Sequence, residues 1–321
     1  MNVVILGGSG LIGRALTRSL IDAGHSVMVL SRDARRSQTL VTAGATVATW
    51  APQDVAELAS YLGEADAVVN LAGAPVGPWP WTAARRRSIL TSRLGPTAAV
   101  VVALALLPPD ERPGVLVNAS GTDRYTGLDA APAEESSPSA VGFLASVCAA
   151  WEAHAVVAEA LGVRVVLLRT GFVVAEAGPI MRLFALPFRL GLGGPLGDGR
   201  QWFSWVHIDD VVGIVLAALE DDRYRGPINV VSPAPVREAD LALAIGRVLR
   251  RPVRVRIPAR LIRMAMGESS TLALGSRRVI PGRALGLGYR FRWVDLDAAL
   301  RSALTQPMAG PAPASSSSSR P

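Results

Sequence analysis

Residues 3–13 of the chain read VVILGGSGLIG. A short apolar run followed by closely spaced glycines predicts a strand, a tight turn and a helix. Gly7 would permit the turn, Gly10 would let a ligand approach the backbone, and Gly13 would let the helix pack on the strand. The start of the helix would offer free N–H groups and a positive dipole to a pyrophosphate. We therefore expect a dinucleotide site at Gly7, Gly10, Leu11, Ile12 and Gly13.

Strand and helix patterns alternate through the first half of the chain. Strands are predicted at residues 3–6, 26–30, 46–50, 67–71, 114–119 and 164–169. Helices are predicted at residues 11–23, 96–107 and 143–161. Such alternation is typical of α/β proteins with a parallel sheet. We predict an α/β fold, namely a Rossmann doubly wound parallel sheet with a smaller C-terminal substrate lobe.

The alternation stops after Arg169, and this change suggests the domain organisation. Residues 1–232 are interpreted as the Rossmann domain, with residues 171–205, rich in glycine, proline and aromatics, as a lid inserted into it. Residues 233–304 are interpreted as the C-terminal substrate lobe. Residues 305–321 are rich in proline, alanine and serine, and we expect a disordered tail. Beyond the lid, helices are predicted at 211–220 and 237–249, and strands at 227–231, 253–257 and 289–291.

The end of the second predicted strand bears on the choice of cofactor. Sites that prefer NAD carry an acidic residue there, which binds the ribose 2′-hydroxyl. This chain instead has Ser31 and Arg32, with Arg35 and Arg36 close by. A guanidinium binds phosphate well and cannot accept a hydrogen bond from a neutral diol. We therefore predict NADP(H), with Ser31 and Arg32 at the 2′-phosphate; the alternative is that Arg32 is a solvated loop residue.

Composition excludes several other classes of protein. The net charge is +7 and all 33 basic residues are arginines, but their clusters are short, as at residues 85–87, and are interpreted as solvated faces. Cys148 is the single cysteine and the three histidines lie far apart, so no metal site is expected. The longest apolar stretch, residues 98–107, is too short to span a bilayer.

The chain also opens on a strand rather than on a basic leader. We therefore expect a soluble cytoplasmic protein with a small-molecule partner, without a nucleic-acid or membrane partner. A homodimer is left open.

Several motifs resemble those of extended short-chain dehydrogenases/reductases. Besides the glycine loop, they are the Asn-Leu-Ala-Gly of residues 70–73 and the Leu-Arg-Thr-Gly of residues 168–171. More narrowly, residues 186–210 and the Arg-Val-Ile-Pro of residues 278–281 resemble the atypical "epimerase family protein" subgroup, which is related to sugar-nucleotide epimerases. The resemblance covers nearly all of residues 1–304. It implies an NADP-dependent oxidoreductase or epimerase-like enzyme that acts on a small organic substrate.

The resemblance also implies roles for individual residues. The loop formed by Asn70, Leu71, Ala72 and Gly73 would pass under the adenine and its ribose. Arg169 would begin the segment near the nicotinamide. His207 and Asp209 would line or brace the cleft. We expect His207 to be a packed, hydrogen-bonded residue, and Asp209 or Asp210 to cap the helix that follows.

The catalytic pair of that family is absent from this chain. Working members use a Tyr-x-x-x-Lys pair, in which the lysine lowers the pKa of the tyrosine from its usual value near 10. This chain has no lysine, and the two positions fall on Leu144 and Cys148. We interpret Cys148 as a small buried apolar residue rather than as a nucleophile.

The exit of the fifth predicted strand holds the other candidates for catalysis. Ser120 is the first candidate for the family's serine and Thr122 the second. Tyr125 is the tyrosine expected to reach the cleft, and Asp123 is a candidate acid or base. A strand exit beside a cofactor is where function concentrates in such folds. The same residues are also typical of an ordinary turn, and both interpretations stay open.

Two other classes of function stay open as well. Loss of the Tyr/Lys pair favours a cofactor-binding regulator or scaffold without redox turnover, and a non-redox isomerase or cyclase would use the same cleft. An intact substrate lobe favours the enzyme. The lid aromatics Trp202, Phe203 and Trp205 either stack on a substrate ring or pack the lid. The fold does not identify a substrate.

Overall fold

The structure is a computed structural model that describes residues 1–33, 37, 40, 41, 43–77, 79–127, 131–176 and 178–304. Two expectations fall outside these residues. They concern Arg35 and Arg36 beside the second strand, and the tail of residues 305–321.

A seven-stranded sheet lies at the centre of the described residues. The strands, in chain order, are β1 Asn2–Leu6, β2 Ser26–Ser31, β3 Thr46–Thr49, β4 Ala67–Asn70, β5 Val115–Gly121, β6 Arg164–Thr170, β7 Phe172–Val174, β8 Trp202–Phe203, β9 Trp205–His207, β10 Gly226–Val230 and β11 Val236–Arg237. The central sheet has the order β10-β6-β5-β4-β1-β2-β3, and every neighbouring pair is parallel. The predicted doubly wound fold is therefore confirmed, with its topological switch point between β1 and β4.

Helices cover both faces of this sheet. In chain order they are α1 Leu11–Asp22, α2 Val55–Leu62, α3 Ala83–Leu106, α4 Phe143–Val156, α5 Pro179–Arg189, α6 Ile208–Glu220, α7 Glu238–Leu249, α8 Ala259–Met266, α9 Thr271–Leu274, α10 Gly282–Gly286 and α11 Leu296–Leu304. Short 3₁₀ turns occur at Pro109–Glu111, Thr122–Tyr125, Val157–Leu161 and Gly267–Ser270.

The apolar core has a layer on each face of the sheet and a third part under the lid. On one face α1 and α6 cover the sheet, with Leu16 and Ile214 fully buried. On the other face α2 and α3 do so, with Leu58 and Val100 fully buried. Strands buried on both faces are expected to be almost continuously apolar, as the Val-Val-Leu-Leu run within β6 is. The third cluster joins α5, α7 and α11 around Trp205.

Helix α3 is much longer than the sequence predicted. It begins at Ala83 rather than near residue 96, and the Thr82 side chain accepts a hydrogen bond from Arg85 N at its start. By length and composition, Ala83–Leu106 and Phe143–Leu161 would each suffice to cross a membrane. Part of each helix is buried in the core, 39% and 44% of the apolar windows respectively, and Trp151 Nε1 donates to Thr97 Oγ1 at 2.9 Å between them. Packing within this fold therefore explains the buried apolar residues of both helices.

The C-terminal third contains fewer strands than predicted. Residues 253–257 and 289–291 are not strands, although Ile257 forms a single bridge with Leu196. Both Arg254 N and Val255 N donate to the same carbonyl, that of Gly193. Because the two N–H groups share one carbonyl, the segment has no regular strand pairing and runs along the lid as irregular chain.

The cap of α6 also differs from the prediction. His207, rather than Asp209 or Asp210, is the N-cap, and its Nδ1 accepts from Asp209 N at 3.2 Å. The buried Asp210 carboxylate accepts from the backbone N–H groups of Arg292 and Trp293 at 2.8 and 3.0 Å. His207 is buried and hydrogen-bonded to Ser302, as expected, and burial lowers its pKa.

Glu238 is a buried carboxyl group at the first position of α7. Its Oε2 accepts from Leu196 N at 2.9 Å, and its side chain lies under the lid. Burial raises its pKa from 4.5 to about 7, although the N–H of Leu196 opposes the change. The folded protein therefore binds a proton at Glu238 at pH values where the unfolded chain has already released it.

We predict that this proton makes stability fall as pH rises from about 5 to about 8. The sign follows because raising the pH removes a proton that the folded state holds more tightly. The Glu238→Gln variant has no group that ionises at this position, so its stability should not fall with pH in this way. In the wild type the fall in the free energy of unfolding is at most on the order of 3 kcal/mol. Thermal melts across this pH range would measure it. Glu220→Gln, at the exposed end of α6, is the control and should keep the wild-type profile.

Candidate functional site

The glycine loop between β1 and α1 is held by close backbone contacts. Gly7 has φ of +80°, and a Cβ there would lie 2.8 Å from the backbone carbon of Leu71. A Cβ on Gly13 would lie 2.5 Å from Gly8 Cα. Because glycine has no side chain at either position, the backbone of the loop can contact the start of the helix and the exit of β4 directly.

The start of α1 is open to a ligand. No side chain caps it, and its first turn contains no acidic residue. Gly10 is exposed, and Leu11 and Ile12 are half-buried. An uncapped helix start at a switch point, with glycine in place of side chains, fits the pyrophosphate of a dinucleotide.

The end of β2 carries the two residues predicted to select the cofactor. Ser31 Oγ donates to Asp33 O at 3.0 Å and accepts from Asp33 N, so it shapes the turn. Arg32 is exposed. Arg32 follows β2 directly, on the side of the switch point where the adenosine half of a dinucleotide would lie.

The exit of β4 is braced by a buried polar cluster. Asn70 is fully buried, and its Nδ2 donates at 2.8 Å to both Thr97 Oγ1 and Asn118 Oδ1. Its Oδ1 accepts from Ala72 N. Asn70, predicted to bind the cofactor, thus holds the loop by its side chain. The loop backbone at Leu71 borders Gly7, and its place under the adenine and ribose stays a prediction.

A buried ion pair connects α4 with β6. Arg169 Nε and Nη2 donate to the two carboxylate oxygens of Glu152, each at 2.8 Å. Burial by itself would lower the pKa of Arg169, but the Glu152 carboxylate reverses the effect and the net pKa is raised. Ser120 Oγ donates to Glu152 Oε1 at 2.7 Å, and Arg124 Nη1 lies 3.5 Å from Oε2. Arg169, predicted to line the nicotinamide site, is thus largely occupied by protein partners.

Tyr125 belongs to the same buried network. It is fully buried; its hydroxyl donates to Asn229 Oδ1 at 3.0 Å and accepts a hydrogen bond from Arg169 Nη1. Burial raises the pKa of Tyr125, with Arg169 opposing. The expectation that Tyr125 reaches the cleft does not agree with this placement, because Arg169 and Asn229 already engage the hydroxyl. Its geometry favours a bracing role.

The other two predicted catalytic residues are also mostly enclosed. Ser120 is 7% exposed and directs its proton inward to Glu152, while Thr122 is 4% exposed. Together with Tyr125 they lie at the exit of β5, as expected. Their hydroxyl groups are not gathered at an open surface, so a catalytic role for any of them remains a prediction.

Asp123 lies at the same strand exit with its side chain 26% exposed. Its Oδ1 accepts from Arg277 Nη2 at 2.7 Å, and Arg277 Nε donates to Thr126 Oγ1 at 3.0 Å. Arg277 comes from the C-terminal segment, whose Ser276 carbonyl accepts from Gly127 N. The C-terminal lobe therefore supplies a side chain to the exit of β5.

Cys148 and Arg93 face this exit from the helices. The Cys148 sulfur lies 3.6 Å from where a Cβ on Gly121 would be. Burial raises the Cys148 pKa to about 12, with Asp123 and Glu152 adding to the effect, so the thiol is neutral. Arg93 Nη1 donates to Ala74 O at 3.1 Å. The interpretation of Cys148 as a small buried residue agrees with this environment.

The lid aromatics divide into two groups. Phe203 packs on Phe172 with ring centroids 4.8 Å apart, and the fully buried Trp205 donates to Ala234 O, so both pack the lid. The Trp202 ring instead lies against two guanidinium groups, those of Arg237 at 3.8 Å and Arg278 at 4.5 Å. Of the three, Trp202 is the one whose environment is charged.

Cavities also lie away from the glycine loop, one of them, of about 380 Å³, beside Glu135 and Arg283. A cavity of about 570 Å³ opens at the opposite ends of β5 and β6, beside Gly114 and Asp222. Parallel α/β sheets bind ligands at the carboxyl ends of their strands, so this cavity lies on the wrong side. Within the described residues, no three His, Cys, Asp or Glu side chains are grouped to hold a metal ion.

Sequence reasoning missed Arg93 and Arg277. Arg93 lies in the part of α3 that was not predicted, beyond an arginine cluster interpreted as solvated. In that cluster Arg87 is exposed, the side chains of the Arg86–Glu268 pair are 43% and 45% exposed, and Arg85 donates to Pro75 O. The Thr82 cap was a signal that could have located the helix start. No local pattern links Arg277 to the exit of β5.

Two family models match the chain. Residues 3–231 match the NAD dependent epimerase/dehydratase family, and residues 257–303 match a domain of unknown function, DUF1731. The second match includes Arg277, which contacts the exit of β5.

The chain is similar to curated proteins over almost its whole length. It is 35% identical to the chloroplastic homologue of epimerase family protein SDR39U1 from Arabidopsis thaliana, covering 94% of this chain and 86% of that protein. It is 34% identical to epimerase family protein YfhF from Bacillus subtilis, covering 94% and 97%. A crystal structure of human epimerase family protein SDR39U1 (isoform 2) with NADPH shares 33% identity and a TM-score of 0.83, covering 96% of this chain and 100% of that one.

The Glu152–Arg169 pair generates a prediction on stability. Glu152→Gln would leave the buried guanidinium without its carboxylate, so we expect a loss of about 3–5 kcal/mol in the free energy of unfolding. Chemical denaturation would measure it. The more exposed pair of Asp221 and Arg223, whose side chains are 29% and 68% exposed, is the control, and Asp221→Asn should lower stability much less because water screens the pair. An equal effect of the two changes would contradict the assignment.

Proposed function

Because the chain belongs to the NAD dependent epimerase/dehydratase family, we propose that it binds NADP(H) and acts as an oxidoreductase or epimerase-like enzyme on a small organic substrate. The observation that carries the proposal is the uncapped start of α1, with Gly10 exposed and no acidic residue nearby in the first turn. Exposed Arg32 after β2, where an NAD site would have an acid, supports NADP(H) over NAD(H). The human relative crystallised with NADPH supports the same choice.

The residues that would hold the cofactor follow from the geometry. The backbone at Gly7, Gly10, Leu11, Ile12 and Gly13 would bind the pyrophosphate, and Arg32 the 2′-phosphate. Leu71, Ala72 and Gly73 would border the nucleotide by their backbone, with Asn70 as the brace of their loop. When bound, NADP(H) would supply hydride chemistry at the nicotinamide.

Asp123 is the side chain at the exit of β5 that is best placed to meet a substrate. It is more exposed than Ser120, Thr122 or Tyr125, and Arg277 holds its orientation. Its carboxylate can accept a hydrogen bond, and a proton, from a substrate hydroxyl. Ser120 and Tyr125 would act indirectly, through Glu152 and Arg169. This arrangement would replace a Tyr/Lys pair that the chain lacks.

A second candidate function is a cofactor-binding regulator or scaffold without redox turnover. It is favoured by Leu144 and Cys148 at the family's catalytic positions and by the inward hydroxyl of Tyr125. A non-redox isomerase or cyclase would use the same cleft.

The expected cellular setting also belongs to this proposal. We retain a cytoplasmic location, a small-molecule partner and no nucleic-acid or membrane partner. The Arabidopsis relative is named as chloroplastic, so location varies among relatives. A homodimer would be tested by measuring the mass in solution.

We predict that NADPH binds more tightly than NADH. Arg32→Ala should weaken NADPH binding by about 1–3 kcal/mol, the scale of a hydrogen bond to a charged group, and leave NADH binding unchanged. Fluorescence titration of the two cofactors would measure both effects. Arg18→Ala, on the exposed face of α1, is the control and should bind as the wild type does. Equal affinity for NADPH and NADH would contradict the role of Arg32 at the 2′-phosphate.

We also predict that catalysis depends on the exit of β5 and not on Cys148. With an alcohol substrate found by reduction of NADP+, where the hydroxyl must lose a proton, Asp123→Asn should lower kcat by at least about tenfold, which is ~1.4 kcal/mol of barrier. Ser120→Ala and Tyr125→Phe should lower kcat together with the melting temperature, since both residues brace buried partners. Cys148→Ala should change little.

Loss of turnover in Cys148→Ala alone would show that the helix position is a nucleophile. No effect from Asp123→Asn, Ser120→Ala or Tyr125→Phe would favour the regulator.

A further inference from the structure

Arg93 extends from α3 to the carboxyl ends of β4 and β5. Its Cζ lies 3.3 Å from where a Cβ on Gly73 would be, at the exit of β4. Its Nη1 donates to Ala74 O at 3.1 Å and to Ile89 O at 2.9 Å, and its Cζ lies 5.1 Å from the centre of a Trp151 ring. These contacts hold the guanidinium in one orientation beside the cleft.

Unlike Arg169 and Arg277, Arg93 has no carboxylate partner within hydrogen-bond distance among the described residues. Arg169 is paired with Glu152, and Arg277 with Asp123. The hydrogen bonds of Arg93 go to two carbonyl oxygens through Nη1, and no described residue accepts from Nε or Nη2. A partly buried cation that lacks a carboxylate is costly, so an unused donor edge at a cleft points to a ligand.

Burial is the main cause that lowers the pKa of Arg93; the nearby Arg85 adds to this effect and Asp123 opposes it. The group stays charged, because an arginine pKa begins far above neutrality. The cost of burying it therefore persists in the ligand-free protein.

The surroundings of Nε and Nη2 of Arg93 suit the polar part of a ligand. Gly73 and Gly121 lie at the strand exits without side chains, and Cys148 is neutral. The nearby carboxylate, that of Asp123, is paired with Arg277. Because Gly73 has no Cβ, no side chain separates it from the Arg93 guanidinium at the exit of β4.

The position of Arg93 relative to the glycine loop identifies which part of a dinucleotide it would meet. The loop follows β1 and Arg32 follows β2, so the adenosine half would lie over that side of the switch point. The other half would cross to the exits of β4 and β5, where Arg93 lies. This step rests on the proposed function.

We propose that Arg93 is a positioning residue that donates hydrogen bonds to the ribose and phosphate oxygens of the nicotinamide half of NADP(H). It would do so from α3, at a site where the opposing helix α4 presents the neutral Cys148. The adenosine half would be bound independently, by the start of α1 and Arg32.

The test compares NADPH with 2′,5′-ADP, which contains the adenosine half and lacks the nicotinamide half. In Arg93→Met, we expect NADPH binding to weaken by at least about tenfold and 2′,5′-ADP binding to stay unchanged. Arg87→Met, on an exposed turn of the same helix, is the control and should bind both ligands as the wild type does. Unchanged 2′,5′-ADP binding would also show that the variant is folded.

Arg93→Gln is the second variant, because its amide can still bond a carbonyl although the charge is gone. This variant should likewise bind NADPH more weakly than the wild type does and bind 2′,5′-ADP unchanged. If the wild type binds both ligands and the Arg93 variants lose both equally, or lose neither, the inference is overturned while the proposed function stands. A wild type that binds neither ligand overturns both.

Discussion

The buried ion pair between Glu152 and Arg169 is the interaction on which the rest of the site depends. Two charges removed from water are tolerated only when they satisfy each other with good geometry, and here both carboxylate oxygens accept at 2.8 Å. The pair ties α4 to β6, and it directs Ser120 and Tyr125 inward. The buried pair therefore determines which side chains at the exit of β5 can reach a ligand, although the pair itself does not face the cleft.

A second constraint comes from backbone contact at the switch point. Gly7 meets the backbone of Leu71, and Gly13 meets Gly8, at distances that exclude any side chain. The same absence of side chains leaves the start of α1 uncapped. Close packing and an open anion site thus arise from one run of glycines, while Asn70 holds the facing loop by its buried amide.

The C-terminal segment is part of the site rather than an appendage to it. Arg277 holds Asp123, and the backbone of Ile280 accepts from Asn229, which in turn accepts from Tyr125. Farther along, Asp210 of α6 accepts the N–H groups of residues 292 and 293. These bonds give residues that match a domain of unknown function a physical task, which is to orient groups at the exit of β5.

By itself, the sequence determined the class of fold, the glycine loop and most strands of the sheet, because each depends on neighbours in the chain. Strand β2, for example, was predicted at 26–30 and spans Ser26–Ser31. The start of α3 was missed because its arginines interrupt the apolar pattern. Only the tertiary structure decided that Tyr125 points inward and that Arg277 pairs with Asp123. The physical reason is that these positions are set by bonds between residues 44 and 154 apart in the chain, which no local spacing encodes.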